Sequence, residues 1–462
     1  TSANTLGGGN AVLIPSDPKE YSRLTLAAPK AIKLDFRSGG LLSQLSTGGR
    51  TTIVMNAPKD APDAADKKLT ADTVRTFFGQ SGQDLQRAEA VGNAELAVEP
   101  QNVSPEGYRT NVFAPRFDCE FFPTGNNARL CVAQSKTKTV RVPMVARADR
   151  GVQTIAADKL TASFEARSQD VERLDAIGNT KFTELDRNGI ASQMSFAAGE
   201  KIVRLRGAEP TVWDSRARAK AAEIDWDTRN QKSFLRGNVA TTYYNQKQTG
   251  GATPFAASNK PVFVTSAGAE FDHAAETGLY TGNARAWQDN NYIRAEKIFL
   301  RQKEGQLFAE GKVQSVVYDA KSPEKKNVPV FASSQKLSYD RESRVLRYEG
   351  SVDIRQGTDR VVAGIATINL NESNEMKQTT VERDVVMTQP RRRAMGNWAQ
   401  YNNESDIAIL RGNPAIVEDA ENGTTQGAQL TVYKRENRVT NESKTNPSNS
   451  GRIRSVYKVK KN

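Results

Sequence analysis

Five times along this chain a small residue is followed three positions later by an apolar anchor, and a glycine stands thirteen positions beyond the anchor. The copies begin at Ala191, Ala221, Ala295, Ser334 and Gly396. Their anchors are Met194, Ile224, Ile298, Leu337 and Ala399, and they close at Gly207, Gly237, Gly311, Gly350 and Gly412. Two longer variants, from Val74 to Gly92 and from Leu160 to Gly178, carry an offset of eighteen, as if the connecting turn had grown. A fixed small–apolar–glycine frame of this kind marks a repeat architecture rather than one compact enzyme core.

Each copy reads as a pair of strands. Ile293 and Ala295 alternate with polar neighbours, and Ile298 and Leu300 continue in the opposite parity. Side chains alternate faces along a strand, so this phase shift predicts a bend or bulge at the small residue. Turn formers follow at Asp227–Asn230, Asp340–Ser343 and Asn402–Ser405. A return strand then reaches the glycine, whose fixed place marks a bend or a close backbone approach. No long segment has a capped helical period, so the expectation is all-β, built from many short antiparallel strands with little helix. By alternation Ile155, Met194, Ile224, Trp226, Leu235, Phe271, Ile293, Ile298, Leu307, Leu337 and Leu346 face inward. They fill a dry core between sheets, or a subset of them lines an open seam.

The expected organisation is an irregular N-terminal extension over 1–32, a first repeat segment with loop insertions over 33–150, central repeats over 151–320, C-terminal repeats over 321–440, and a basic polar tail over 441–462. Residues 57–68, 99–107, 246–254 and 320–326 read as loops. Hydrophobic residues make up 37% and charged residues 26%, which suits strands that bury one face only. The net charge of +12 favours an anionic partner, although acids are interleaved with bases along the whole chain. The two cysteines, Cys119 and Cys131, are placed to form one disulfide across a turn in an oxidising compartment and are unremarkable thiols otherwise. No run of apolar residues is long enough for a transmembrane helix. The chain begins at Thr1, and an export signal or anchor upstream of it is compatible with everything above.

Catalytic readings fare poorly. The sequence contains no P-loop, no Gly-x-Ser-x-Gly elbow, no His-Glu-x-x-His and no Cys-x-x-Cys. The single histidine, His273, lies beside a predicted turn and reads as surface. With only His273 and two cysteines, no metal set or cofactor is expected. Arg391–Arg393 and the tail residues Arg452, Arg454, Lys458, Lys460 and Lys461 are the clearest basic clusters. No aromatic strand motif or helix-turn-helix accompanies them, so nucleic acid is not an expected partner.

The motifs Leu235-Arg236-Gly237-Asn238-Val239, Tyr280-Thr281-Gly282-Asn283-Ala284 and Ile155–Leu160 resemble the OstA/LptA-like repeats of lipopolysaccharide export, found in LptA, LptC and the N-terminal part of LptD. The resemblance runs from about Lys33 to Thr440. It implies an elongated open β-jellyroll, a β-taco solenoid, whose apolar seam takes lipid A. It also implies a non-enzymatic periplasmic bridge in a Gram-negative bacterium that passes lipopolysaccharide, or another anionic glycolipid, towards the outer membrane. Other jellyroll proteins would join it head to tail by strand addition, and any inner-membrane anchor would come from a segment outside this chain. Two further readings stand beside it: a β-solenoid scaffold that binds proteins at its edge strands, and a carbohydrate-active β-solenoid. The eleven inward residues are the lipid-groove candidates.

Overall fold

The computed structural model describes residues 1–14, 23–58, 65–124, 126–244, 253–255, 260–317, 328–372, 376–433, 436, 438–441 and 454–456. Every regular element among them is a β-strand, and none is a helix. Strand pairings among the described residues are antiparallel, as in Thr277–Gln288 against Asn291–Arg301. The chain divides into two compact units, Thr1–Ser215 with Lys220–Gln231, and Arg216–Ala219 with Lys232–Asn462. The sequence-based divisions at 150/151 and 320/321 do not coincide with this one.

The repeat resolves into one geometric device. In the second unit, from Lys232–Tyr243 to Gly423–Tyr433, each strand pairs with the next one along the chain, and the register jumps at mid-strand. Thr281 faces Lys297, but the next pair is Ala284 with Ala295. Gly282-Asn283 therefore oppose Glu296 alone, and the strand turns a corner there. The residues that make the corner take positive φ in pairs: Gly92-Asn93, Gly178-Asn179, Gly237-Asn238, Gly282-Asn283, Gly311-Lys312 and Gly350-Ser351. From Lys232–Tyr243 to Met376–Gln389 every second strand carries a positive-φ pair, and each corner splits its strand into two arms.

Gly311 illustrates why glycine recurs. Its φ is +83°, and a Cβ there would lie 2.8 Å from the Glu296 Cβ on the facing strand. Backbone conformation and contact both exclude a side chain. The bend is therefore made by the glycine. The preceding small residue, expected to be the crowded point, instead points inward and is buried: Ala71 is 0% exposed and Ala295 3%. Its successor presses on the glycine. At one corner the roles are exchanged. Arg383-Asp384 take the positive φ, and the glycine, Gly364, stands on the facing strand, where a Cβ would lie 2.8 Å from the Arg383 Cβ. Gly412 has no positive φ, so the fifth sequence copy closes by a different corner.

The hairpins between strands follow the predicted turn chemistry. The Asp227 carboxylate accepts from the backbone N–H of Arg229 and Asn230, Asp340 from Ser343, and Asn402 from Glu404 and Ser405.

One expectation needs correction at the ends. The described residues within 1–32 are not an irregular extension. Ser2–Asn4 pairs with Ile32–Phe36, and Gly9–Leu13 with Arg23–Ala28, because Leu26, Ala28 and Ile32 supply a small core for Ala11, Leu34, Leu45 and Ile53 to cover. The tail also contains structure: Arg454–Val456 pairs with Thr424–Gln426. Arg452, Lys458, Lys460, Lys461 and most of the loops expected at 246–254 and 320–326 lie outside the described residues.

Candidate functional site: the inward faces of the two units

Because pairing is regular on each side of the corners, inward residues line up in rows that cross from strand to strand. In the second unit the deep row on one side of the corners runs Leu235, Ala269, Tyr280, Ile298, Ala309, Leu337, Tyr348, Ala366, Val381, Ala399, Leu410, Leu430, each residue facing the next in register. Large and small residues mostly alternate, which lets neighbouring strands interdigitate. All of them are buried. Leu300, Leu307, Tyr339, Leu346 and Ile368 form the next row and are buried as well. The other arm contributes Val264, Ala286, Ile293 and Ala332, again buried.

The arms are joined by tyrosine hydroxyls. Tyr243 and Tyr280 share a hydrogen bond of 2.7 Å, and Tyr348 meets Ser315 at 2.8 Å. Burial pushes the Tyr243 and Tyr348 phenols up to about 12, and Tyr280 well above its ordinary value. Around these tyrosines the interior of the second unit is a filled core, while further along the row of Ala332 the residues Ile354, Val361 and Met387 stay half-buried. The sequence candidates Leu235, Ile293, Ile298, Leu307, Leu337 and Leu346 belong to it, and Phe271 stands half-buried beside it, edge-on to Tyr280.

The first unit carries a longer half-buried row. Its deep row is closed in the same way: Val74, Ala90, Phe117, Ala133, Leu160, Ala176, Met194, Leu205 and Ile224 are all buried. On the facing arm, however, Ile53, Leu69, Leu96, Val112, Ile155 and Phe182 point inward and remain half-buried; only Thr139 interrupts their register, between Val112 and Ile155. Towards the rim of the other arm, Leu174, Phe196, Val203 and Trp226 are half-buried too. Of the sequence candidates, Met194 and Ile224 lie in the closed row, and Ile155 and Trp226 in the half-buried ones.

One step nearer the rim, the register carries Met55, Lys67, Val98, Thr110, Arg141, Gln153 and Glu184. Two cations therefore point inward above the apolar row. Burial lowers the Lys67 ammonium, which has no acidic partner among the described residues. Arg141 is lowered by burial as well; it lies 4.2 Å from the Tyr108 ring centre and donates to Gln153. Cys119 and Cys131 face each other on adjacent strands of this unit and are joined in a disulfide.

Sequence reasoning missed the bridging tyrosines and the two rim cations. Tyr280 and Tyr348 could have been found, since they keep the alternation of Ile298 and Leu337. Lys67 and Arg141 look like ordinary surface charges until the register shows which way they point. The Arg391–Arg393 cluster is engaged at a hairpin, with Arg391 on Glu421 and Arg392 on Asp419. His273 sits in a turn, 2.7 Å from the Ser233 hydroxyl. No group of residues able to hold a metal occurs among the described residues.

Comparison with curated proteins finds no match. Among solved structures, the chain is similar to LptH, the LptA homologous periplasmic component of the lipopolysaccharide transport device from Pseudomonas aeruginosa. The match has 18% identity, covers 30% of this chain and 100% of that one, and has a TM-score of 0.27, too low to carry an argument. The model of the family described as LptA/(LptD N-terminal domain) LPS transport protein matches residues 145–248 and 332–438. That family is one of transport and binding and is not enzymatic. These two segments are what ties the chain to the LptA/LptD N-terminal, OstA/LptA-like family, which they resemble.

Proposed function

We propose that the chain takes part in lipopolysaccharide transport in the periplasm of a Gram-negative bacterium, holding the acyl chains of an anionic glycolipid against the inward face of its first unit. The observation that carries this reading is the row Ile53, Leu69, Leu96, Val112, Ile155 and Phe182, which is apolar, inward and half-buried. The match of two segments to a lipopolysaccharide-transport family supports the cargo.

Each methylene removed from water is worth about 0.8 kcal/mol, so a tail of a dozen such groups meets a barrier of roughly 10 kcal/mol in open water. A row of apolar side chains that offers similar burial at each step removes that barrier. Lys67 and Arg141 stand where phosphates of a headgroup would emerge above the tails, and an anion there would offset the desolvation that now lowers both groups. The groove supplies no drive, since the sequence has no nucleotide motif, and net movement needs an energy source elsewhere. The direction is towards the outer membrane, with other jellyroll proteins adding head to tail at the terminal strand edges.

Of the eleven groove candidates, Ile155 and Trp226 fit lipid contact, the eight buried ones fit the core, and Phe271 borders that core against Tyr280. Native mass spectrometry of protein released from membranes tests the reading. A co-purifying acylated, phosphorylated glycolipid is expected; protein that remains lipid-free after incubation with lipopolysaccharide would contradict it.

A further inference from the structure

The outward faces of both units are laced with ion pairs between neighbouring positions. Arg87 meets Glu89, Arg173 meets Asp175, Arg206 meets Asp225 and Arg347 meets Glu349. One place breaks the pattern. Arg285 and Arg294 face each other directly across two strands of the second unit, both exposed, and neither has an acidic partner among the described residues. Their row continues Thr265, Arg285, Arg294, Gln314, Ser333, Asp353. Its one carboxylate, Asp353, is three strands away from Arg294 and already held by Arg355 and Arg360. Like charges directly opposite on a sheet destabilise it.

An aromatic row runs alongside. Phe263 stacks on Trp287 at 5.4 Å, and Trp287 pairs in register with Tyr292. The Arg285 guanidinium lies 5.3 Å from the Trp287 ring centre and 5.0 Å from that of Tyr292. Stacking of this kind orients a guanidinium while leaving its N–H groups free to donate. Thr265, Asn283, Arg285, Tyr292, Arg294 and Gln314 line a concavity of about 340 Å³ between these features. That volume is at the lower end of the range for small-molecule clefts.

We propose that this concavity binds an anionic sugar. The two guanidiniums share a phosphate or carboxylate, which removes their mutual repulsion and matches their fork geometry. The ring lies over Tyr292 and Trp287, and the hydroxyls meet the amides of Asn283 and Gln314 and the Thr265 hydroxyl. Neutral amide and hydroxyl groups beside an aromatic platform suit a polyol better than an acyl chain. The site lies on the opposite face of the sheet from the inward rows, so it is independent of the lipid reading.

Titration calorimetry of the full chain with glucose 6-phosphate, glucuronate, glucose and inorganic phosphate tests the proposal. Saturable binding is expected for one or both anionic sugars, at least tenfold tighter than for glucose or inorganic phosphate; which of the two binds tells phosphate from carboxylate. The single variants Arg285→Gln and Arg294→Gln should each weaken binding, and the double variant should weaken it tenfold or more with an unchanged circular dichroism spectrum. Tyr292→Ala should weaken the sugar and leave inorganic phosphate unaffected. No saturable binding of either anionic sugar, equal binding by the double variant, or preferential capture of a single-stranded oligonucleotide or phosphatidylglycerol vesicles at these arginines would overturn the proposal.

Discussion

Replacing Gly311 by alanine probes the corner on which the whole architecture depends. At φ +83° an L-residue is strained by about 1–2 kcal/mol. The new Cβ would also lie 2.8 Å from the Glu296 Cβ. That atom is fixed to its backbone and cannot swing away, so the two strands must part, at about 1–3 kcal/mol for an overpacked contact. The sum is roughly 2–5 kcal/mol, and at about 2–4 °C per kcal/mol for a unit of this length the melting transition falls by roughly 4–20 °C. Two controls separate the contributions. Gly364→Ala meets the Arg383 Cβ at 2.8 Å without a positive φ of its own, so it should show the contact cost alone. Lys312→Gly relieves a positive φ of 50° and loses only an exposed ion pair with Glu296, so it should be nearly neutral. Scanning calorimetry reads all three, with hydrogen exchange in Gln306–Val317 assigning the transition to the second unit. A Gly311→Ala protein within about 0.5 kcal/mol of the parent would refute the reasoning.

Three further outcomes follow from the same structure. Tyr280→Phe removes the hydroxyl shared with Tyr243 and should cost about 1 kcal/mol, read as a lower urea midpoint with an unchanged slope. Because the folded state holds the Tyr243 and Tyr348 protons up to about pH 12, whereas an unfolded tyrosine releases its proton near its ordinary value of 10.0, stability should be flat below that value and fall as pH rises through this window. Tyr348→Phe should make that fall shallower in alkaline unfolding, and an unchanged slope would count against the assignment. Reducing Cys119–Cys131 opens a short closed loop and should lower the stability of the first unit by about 3 kcal/mol while leaving the second unit's transition in place.

Much of the fold was legible because its rules are local. The parity change between Ala295 and Ile298 located the corner, and Asp227, Asp340 and Asn402 marked the hairpins. What the sequence concealed depends on register. Lys67 and Arg285 are both basic residues in polar, alternating stretches, yet one points into the first unit and the other stands outside the second. Only cross-strand pairing tells them apart. The swap of glycine from the corner itself to the facing strand, at Gly364 and Arg383, was hidden because it preserves the contact while moving the residue. Which inward rows are sealed was also out of reach. Leu235 and Ile155 have the same pattern, and the difference comes from Tyr243, Tyr280 and Tyr348 filling the interior around Leu235 while Ile155 and the other apolar residues of its row stay half-covered.

The lipid reading stands or falls on contact at the half-buried inward row. A photoreactive benzoylphenylalanine placed at Val112 or Phe182 should crosslink to lipopolysaccharide on illumination, whereas the same probe at the adjacent outward Phe113 should not. Labelling from Phe113 alone, or equal labelling from both faces, would contradict the account.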